Sequence, residues 1–419
     1  MKTSFPKEKI KAVLLEGIHA CAREALALEG FAVTSSEKAL EGPALAKAVG
    51  DAHLLGIRSK TSLDAAALAA APRLLAVGAF CIGVNQIDLA AARARGVAVF
   101  NAPFSNTRSV AELTIAEVVA LSRRLTDQNA RMHAGEWDKS AAGAHEVRGR
   151  TLGIVGYGHI GSQVSVLAEA MGMRVLFFDL LSKLPLGNAR PCRSLDELLK
   201  ASDAVTLHVP ETPTTKGMIG RAQIKSMRRG SVLINNARGS VVDVPALAGA
   251  IRTGHLAGAA LDVFPVEPAG RGEAFQSELR GLPNVILTPH VGGSTEEAQA
   301  AIADDVSRKL LRLVNNGSTT GSVNLPEVDL PEQRDPADPA GEPGARRWQR
   351  VLHLHRNVPG VLGKVHGLIG RLGVNINAEY LQTRADTGYV VLDTDPAHGK
   401  AILEGLRALP ETIRVRVLF

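Results

Sequence analysis

Short apolar runs alternate with alanine-rich stretches of helical spacing over the first hundred residues. Residues 12–15, 52–57, 74–77 and 97–100 have the pattern of strands buried on both faces of a parallel sheet. Between them 20–29, 43–49, 63–70 and 86–95 read as helices. A longer helix is expected from Ser109 to about His133, with Glu112 and Glu117 standing among apolar positions. At Thr151 the alternation restarts: strand 151–155, helix 160–171, strand 174–178, then strands at 204–207, 232–235, 257–261 and 285–287 with helices between. That succession predicts a doubly wound parallel sheet. One more long helix is expected over 294–314. Beyond residue 346 the order is strand 349–355, helix 359–372, strand 374–384, strand 388–393, helix 397–408 and strand 412–419, a ferredoxin-like βαββαβ unit.

Composition changes this picture at one place. Residues 326–345 hold five prolines, six acids and one arginine, which predicts an extended linker. The linker carries a net charge of −5, so the overall +6 leaves +11 on the rest of the chain. No basic block and no interleaving of aromatic with basic residues is present, which argues against nucleic acid and for a small anionic substrate. Three cysteines in 419 residues exclude a disulfide scaffold and suit a reducing, cytoplasmic location. There is no run of 18 apolar residues and no secretion-type start, so no membrane association is expected. No metal site is expected either.

The strongest local motif is Gly156-Tyr157-Gly158-His159-Ile160-Gly161, which fits G-x-G-x-x-G. The hexapeptide alone is weak, but here it follows a strand and opens a helix, and the next strand ends in Asp179, 18 residues after Gly161. Gly156 permits the tight turn, Gly158 lets the backbone approach a pyrophosphate, and Gly161 allows close helix–strand packing. The helix N-terminus would receive the phosphate charge. Asp179 would bond the adenosine ribose hydroxyls and repel a 2′-phosphate, which favours NAD over NADP. The plainer readings are a glycine-rich turn in an unrelated α/β domain and an ordinary acid at a strand end.

A nicotinamide enzyme needs a proton acceptor beside the carbon that gives up hydride, and anchors for its substrate. Arg238, Glu267 and His290 each follow a predicted strand. They make a coherent set: histidine as base, glutamate as its orienter, arginine as bidentate partner of a carboxylate. Taken singly, His290 reads equally as a satisfied loop histidine, Glu267 as a surface acid and Arg238 as a cap on the preceding loop.

The run from Thr151 to Gly293 resembles the D-isomer-specific 2-hydroxyacid dehydrogenases. Other matching stretches are 78–85, 100–112, 184–188, 256–265 and 287–295, and the likeness covers nearly all of 8–419. The resemblance implies a Rossmann cofactor domain (109–293) inserted in a flavodoxin-like α/β substrate domain (8–108 plus 294–325). A linker (326–345) and an ACT regulatory domain (346–419) would follow. It implies oxidation of 3-phospho-D-glycerate with NAD to 3-phosphohydroxypyruvate, the entry to L-serine synthesis, with reduction of 2-oxoglutarate as a side activity. Arg238 would hold the substrate carboxylate and the C2 oxygen, His290 would take the hydroxyl proton, and Glu267 would bond to His290. Arg58 and Lys60 would meet the phosphate, with Asn106 and a neighbouring subunit's Lys139 as further substrate contacts. Lys60 departs from the arginine common in this type, which removes a bidentate fork and weakens the expected phosphate grip. The cofactor set would be Gly156, Gly158, His159, Ile160, Gly161, Asp179, His208, Pro210, Ala237, Arg238, Asp262, His290 and Gly293. The same fold acting on another D-2-hydroxyacid, or serving as a non-enzymatic NAD-binding corepressor, are the rival readings.

In the terminal domain His355, Asn357 and Asn375 resemble residues that bind L-serine as a feedback effector. Asn357 and Pro359 otherwise read as a helix start. The implied assembly is a homotetramer paired through cofactor domains and through ACT domains. Residues 331–345 are longer than in bacterial members of this type, which would weaken transmission from the effector site.

Overall fold

The computed structural model describes residues 5–268, 272–331, 349–396 and 398–418. It contains two compact units, Met1–Pro103 with Gln299–Phe419 and Phe104–Ala298. In the first, β1 (Lys11–Leu14), α1 (Ala20–Leu28), β2 (Ala32–Ser35), α2 (Gly42–Val49), β3 (Leu54–Ile57), α3 (Ala65–Ala69), β4 (Ala76–Ala79), α4 (Leu89–Ala94) and β5 (Ala98–Asn101) build a parallel sheet. Its order, β2-β1-β3-β4-β5, is flavodoxin-like. β3, β4 and β5 are buried at every position, which is why they stand out as apolar runs. β2 shows no such signal because it is an edge strand with no fully buried position. Asp64 and Asp88 start α3 and α4 by accepting the N–H of Ala67 and Ala91.

The second unit holds α5 (Thr107–Arg123), α6 (Leu125–His133), β6 (Thr151–Val155), α7 (His159–Ala170), β7 (Arg174–Phe178), β8 (Arg190–Pro191), α8 (Leu195–Ala201), β9 (Ala204–Leu207), α9 (Arg221–Ser226), β10 (Val232–Asn235), α10 (Val244–Arg252), β11 (Gly258–Leu261) and β12 (Val285–Leu287). The sheet order is β12-β11-β10-β9-β6-β7-β8, so strand order reverses between β6 and β9. In open α/β sheets that switch point is where ligands bind. The single helix expected over 109–133 is two. Arg124 takes φ 52° and breaks the run, and Asp127 beyond it accepts the Asn284 N–H at 2.9 Å. Periodicity could not reveal this bend, because Arg124 is neither glycine nor proline.

The chain continues with α11 (Glu296–Asn316), β13 (Gln349–Arg356), α12 (Val361–Arg371), β14 (Ile376–Arg384), β15 (Thr387–Thr394), α13 (Gly399–Arg407) and β16 (Thr412–Leu418). The last four strands pair antiparallel in the order β14-β15-β13-β16. The terminal sheet is not a free appendage of the first unit. Leu352, Leu354, Tyr389 and Val391 share one core with Leu14, Phe100, Val306 and Leu310. Arg350, fully buried, grips Asp393 with two bonds of 2.6 Å and donates to the carbonyl of Asn316 at 3.1 Å. Arg416 donates to the Leu313 and Val314 carbonyls at the C-terminal end of α11, where the helix dipole favours a cation.

Two boundaries lie a few residues from those expected. The compact units divide at Pro103 and Ala298 rather than at 108 and 293. Residues 326–331, expected in the linker, are packed: Val328 and Leu330 are buried, and the Val328 N–H donates to Thr319 Oγ1 at 2.8 Å. Averaging over a proline-rich window hid these two side chains. Residues 332–345 lie outside the described residues. Among the described residues no helix is long and apolar enough to cross a membrane.

Candidate active site

At the end of β6 the chain turns through Gly156 with φ +92°, where a Cβ would meet the His208 carbonyl oxygen at 2.6 Å. At Gly161 a Cβ would meet the Gly156 oxygen at 2.2 Å, so the helix can lie this close only without a side chain. A Cβ at Gly158 would meet nothing within 4 Å, which leaves open space in front of the first N–H groups of α7. At the end of β7, Asp179 accepts the Tyr157 N–H at 2.8 Å and the Leu181 N–H at 2.9 Å. Its carboxylate is thereby oriented, with lone pairs left for ribose hydroxyls. His208 is held neutral by burial, which pushes its pKa down to about 3. Its Nε2 lies 3.0 Å from Thr206 Oγ1, and its buried Nδ1 has no partner among the described residues. Open space at a helix N-terminus, an oriented acid and an orphaned buried nitrogen fit a dinucleotide at this switch point. His159 opens α7 with its ring 3.8 Å from that of Phe104, and Ile160 follows it. Pro210 and Ala237 lie in the loops after β9 and β10.

β10, β11 and β12 are parallel neighbours, so the loops leaving their C-terminal ends emerge side by side. That places Arg238, Glu267 and His290 around one cleft of about 630 Å³. His290 Nδ1 lies 2.9 Å from Glu267 Oε2, and Glu267 Oε1 accepts the Phe264 N–H at 3.1 Å. With Nδ1–H donated to the carboxylate, Nε2 is left to accept a proton. His290 is half exposed and adopts φ 57°, unusual for a residue with a side chain. The loop is pinned by Asp262, which is 2% exposed. Its Oδ1 accepts the Thr288 hydroxyl at 2.6 Å and the Val291 N–H at 2.8 Å, and its Oδ2 accepts the Gly292 N–H at 2.7 Å. The Asp262 bonds thus go to the His290 loop.

Arg238 is half buried, with one guanidinium bond, from Nη1 to the Ala237 oxygen at 2.7 Å. Beneath its loop Asn236 Nδ2 donates to Glu117 at 2.7 Å, and burial pushes the Glu117 carboxyl up to about 7. Three polar residues of this cleft were not expected from the sequence: Glu211, Lys216 and Ser240, with Ser240 Oγ donating to Glu211 at 2.8 Å. Lys216 stands in the loop after β9, and the strand-end rule that found Arg238 could have found it.

Arg58 and Lys60 lie in the first unit, in the loop after β3. Neither side chain has a hydrogen-bond or ion-pair partner among the described residues, and the loop backbone is bonded to Glu16, which the sequence did not flag. Asn106, in the second unit, is buried against Gly293, and its Oδ1 has no partner among the described residues. Lys139 is exposed, its Nζ 5.7 Å from the Trp137 ring centroid.

In the terminal domain a pocket of about 480 Å³ is lined by His355, Asn357, Pro359, Leu381 and Thr383. The His355 Nε2 is buried without a partner among the described residues. Asn375, expected with them, does not line it; its amide donates to Asn377 Oδ1 at 2.8 Å.

Residues 115–292 match the model of the D-isomer specific 2-hydroxyacid dehydrogenase NAD binding domain, and 351–414 match that of an AHAS small subunit-like ACT domain. The D-3-phosphoglycerate dehydrogenase of Haemophilus influenzae is 51% identical over 419 residues, covering 100% of this chain and 99% of that protein. That of Escherichia coli K12 is 50% identical, with both chains covered in full. The D-lactate dehydrogenase of Aquifex aeolicus, solved with NAD and lactic acid, superposes with a TM-score of 0.63 at 30% identity, over 72% of this chain and 95% of its own. The chain therefore belongs to the D-isomer-specific 2-hydroxyacid dehydrogenases, as an NAD-dependent oxidoreductase with a C-terminal ACT domain.

Proposed function

We propose that the chain oxidises 3-phospho-D-glycerate to 3-phosphohydroxypyruvate, the first step toward L-serine. The observation that carries the chemistry is the 2.9 Å contact between His290 Nδ1 and Glu267 in the cleft that Arg238 also lines. Arg238 holds the substrate carboxylate and the C2 oxygen with its remaining N–H donors. His290 Nε2 takes the hydroxyl proton as hydride leaves C2, and Glu267 stabilises the imidazolium that forms. NAD, when bound, supplies the hydride acceptor. Its pyrophosphate is held at Gly156, Gly158, His159, Ile160 and Gly161 and its adenosine ribose at Asp179. His208, Pro210, Ala237, Asp262, His290 and Gly293 complete its surroundings. In the reverse direction His290 must start as the imidazolium, so oxidation and reduction have opposite pH preferences.

Arg58 and Lys60 recognise the phosphate, supported by their unpaired charges, and Asn106 and Lys139 complete the substrate contacts. L-serine binds at the pocket of His355 and Asn357 and restrains turnover. The enzyme is cytoplasmic and a homotetramer; the exposed Leu125, Met132 and Trp137 support self-association, without fixing the number of subunits. It also reduces 2-oxoglutarate to 2-hydroxyglutarate.

Steady-state NAD reduction with 3-phosphoglycerate, D-lactate and D-glycerate, each with and without L-serine, tests this reading. The expected result is turnover that favours the phosphorylated acid and falls with serine. Equal efficiency on all three acids would overturn the substrate assignment, and indifference to serine would overturn the effector.

A further inference from the structure

We propose that Glu16 is the positioning residue of the anion-recognition loop 58–61, a role that rests on the reading of Arg58 and Lys60 as phosphate contacts. β1 ends at Leu14, and Glu16 follows with φ +65°, a left-handed conformation in a residue that carries a side chain. Such a backbone persists where its surroundings over-determine it. Here the Leu15 N–H donates to the Gly56 oxygen at 2.9 Å, the Glu16 N–H to the Lys38 oxygen at 3.3 Å and the Gly17 N–H to the Ser36 oxygen at 3.1 Å. β1 and β3 are neighbours in the sheet, so the Glu16 side chain reaches across to the loop that leaves β3.

Glu16 is 8% exposed, and both of its carboxylate oxygens are spent on main chain. Oε1 accepts the N–H of Arg58 at 3.1 Å and of Thr61 at 2.8 Å, and Oε2 accepts the N–H of Lys60 at 2.9 Å. From the other side Gln86 Nε2 donates to the Arg58 carbonyl at 2.5 Å. An acid beside two cations would ordinarily pair with them, but this one forms no ion pair with either side chain. Three backbone donors absorb its charge instead.

The consequence is a division of labour within four residues. The N–H groups of Arg58, Lys60 and Thr61 face inward and cannot form an anion nest. The guanidinium and ammonium groups stand on a fixed backbone with no competing carboxylate. The loop therefore meets an anion mainly through the two cationic side chains, and Glu16 orders their attachment points beforehand, which lowers the ordering cost of binding.

The test uses the full-length wild type, Glu16→Gln, Gln86→Ala and Arg58→Ala. It reads kcat and KM for 3-phosphoglycerate and D-glycerate, competitive inhibition by inorganic phosphate, and melting temperature. Glutamine keeps the volume of Glu16 but turns an NH2 group toward one of the loop donors. The expected result is a roughly tenfold fall in the preference for the phosphorylated acid in Glu16→Gln, carried by KM, with phosphate inhibition weakened alike. Gln86→Ala should move the same readouts about two- to threefold, and it carries the test if Glu16→Gln does not fold. If Arg58→Ala weakens phosphate recognition while Glu16→Gln and Gln86→Ala leave it at wild-type strength, Glu16 is not a positioning residue. The proposal is equally overturned if Glu16→Gln lowers kcat/KM on both acids equally and in step with melting temperature. If Arg58→Ala itself changes nothing, the phosphate reading of the loop falls first.

Discussion

Arginines serve opposite purposes in two regions of this molecule. At the cleft of the second unit Arg238 spends one bond on its own loop, and its other guanidinium donors meet no partner among the described residues. On the terminal sheet Arg350 has no exposed surface, and its bonds go to Asp393 and to main-chain carbonyls. The side chain is the same and the difference lies in the acceptors around it. A guanidinium saturated by protein is structural, whereas one left partly unmatched is available for binding, and its cation is stabilised only when an anion arrives.

The largest expected effects separate these roles by activity. His290→Gln should lower kcat by about 10²- to 10⁴-fold in stopped or steady-state assays while NADH binding by fluorescence stays intact. Arg238→Ala should likewise cripple turnover yet shift stability by no more than about 1 kcal/mol, since its charge is not buried among protein acceptors. A comparable loss of stability at Arg238 would break the comparison. On the other side, Asp393→Ala strands a buried guanidinium, and denaturant unfolding should register a loss of about 3–5 kcal/mol. A loss below about 1 kcal/mol would mean that Arg350 is not held by this pair.

The smallest effect concerns a buried acid behind the catalytic loop. Burial raises Glu117 from its ordinary 4.5 to about 7. Between those values the folded chain keeps a proton that the unfolded chain has lost, so stability falls as pH rises through that window. The total is about 3 kcal/mol by linkage, complete above pH 7. Glu117→Gln should flatten that slope in melts taken from pH 5 to pH 8. An unchanged slope in the variant would assign it to other groups.

The plainest elements in the sequence are those whose burial is uniform along the chain, although the less buried β1, β7 and β12 were expected as well. β3, β4, β5, β9 and β10 show as apolar runs because every position is buried, whereas the edge strand β2 has none. Candidate site residues were legible where a strand end and a special residue coincide, as at Gly156, Arg238 and His290. Glu16 and Glu117 were not, because each acts through a bond made far along the chain: Glu16 to the loop at 58–61 and Glu117 to Asn236. The convergence of Arg238, Glu267 and His290 needed strand order, which spacing does not encode. The core shared by β13 and α11 was hidden for the same reason: neither segment announces its partner.

That shared core bears on how the enzyme can be re-engineered. Deleting the last 74 residues to obtain an effector-insensitive enzyme would strip Leu352, Leu354 and Tyr389 from Val306, Leu310 and Leu313. The shortened protein would offer a greasy flank to its neighbours and tend to precipitate in the expression host. If His355 and Asn357 hold the effector as proposed, point changes there are the gentler route to a deregulated catalyst, since both line a pocket.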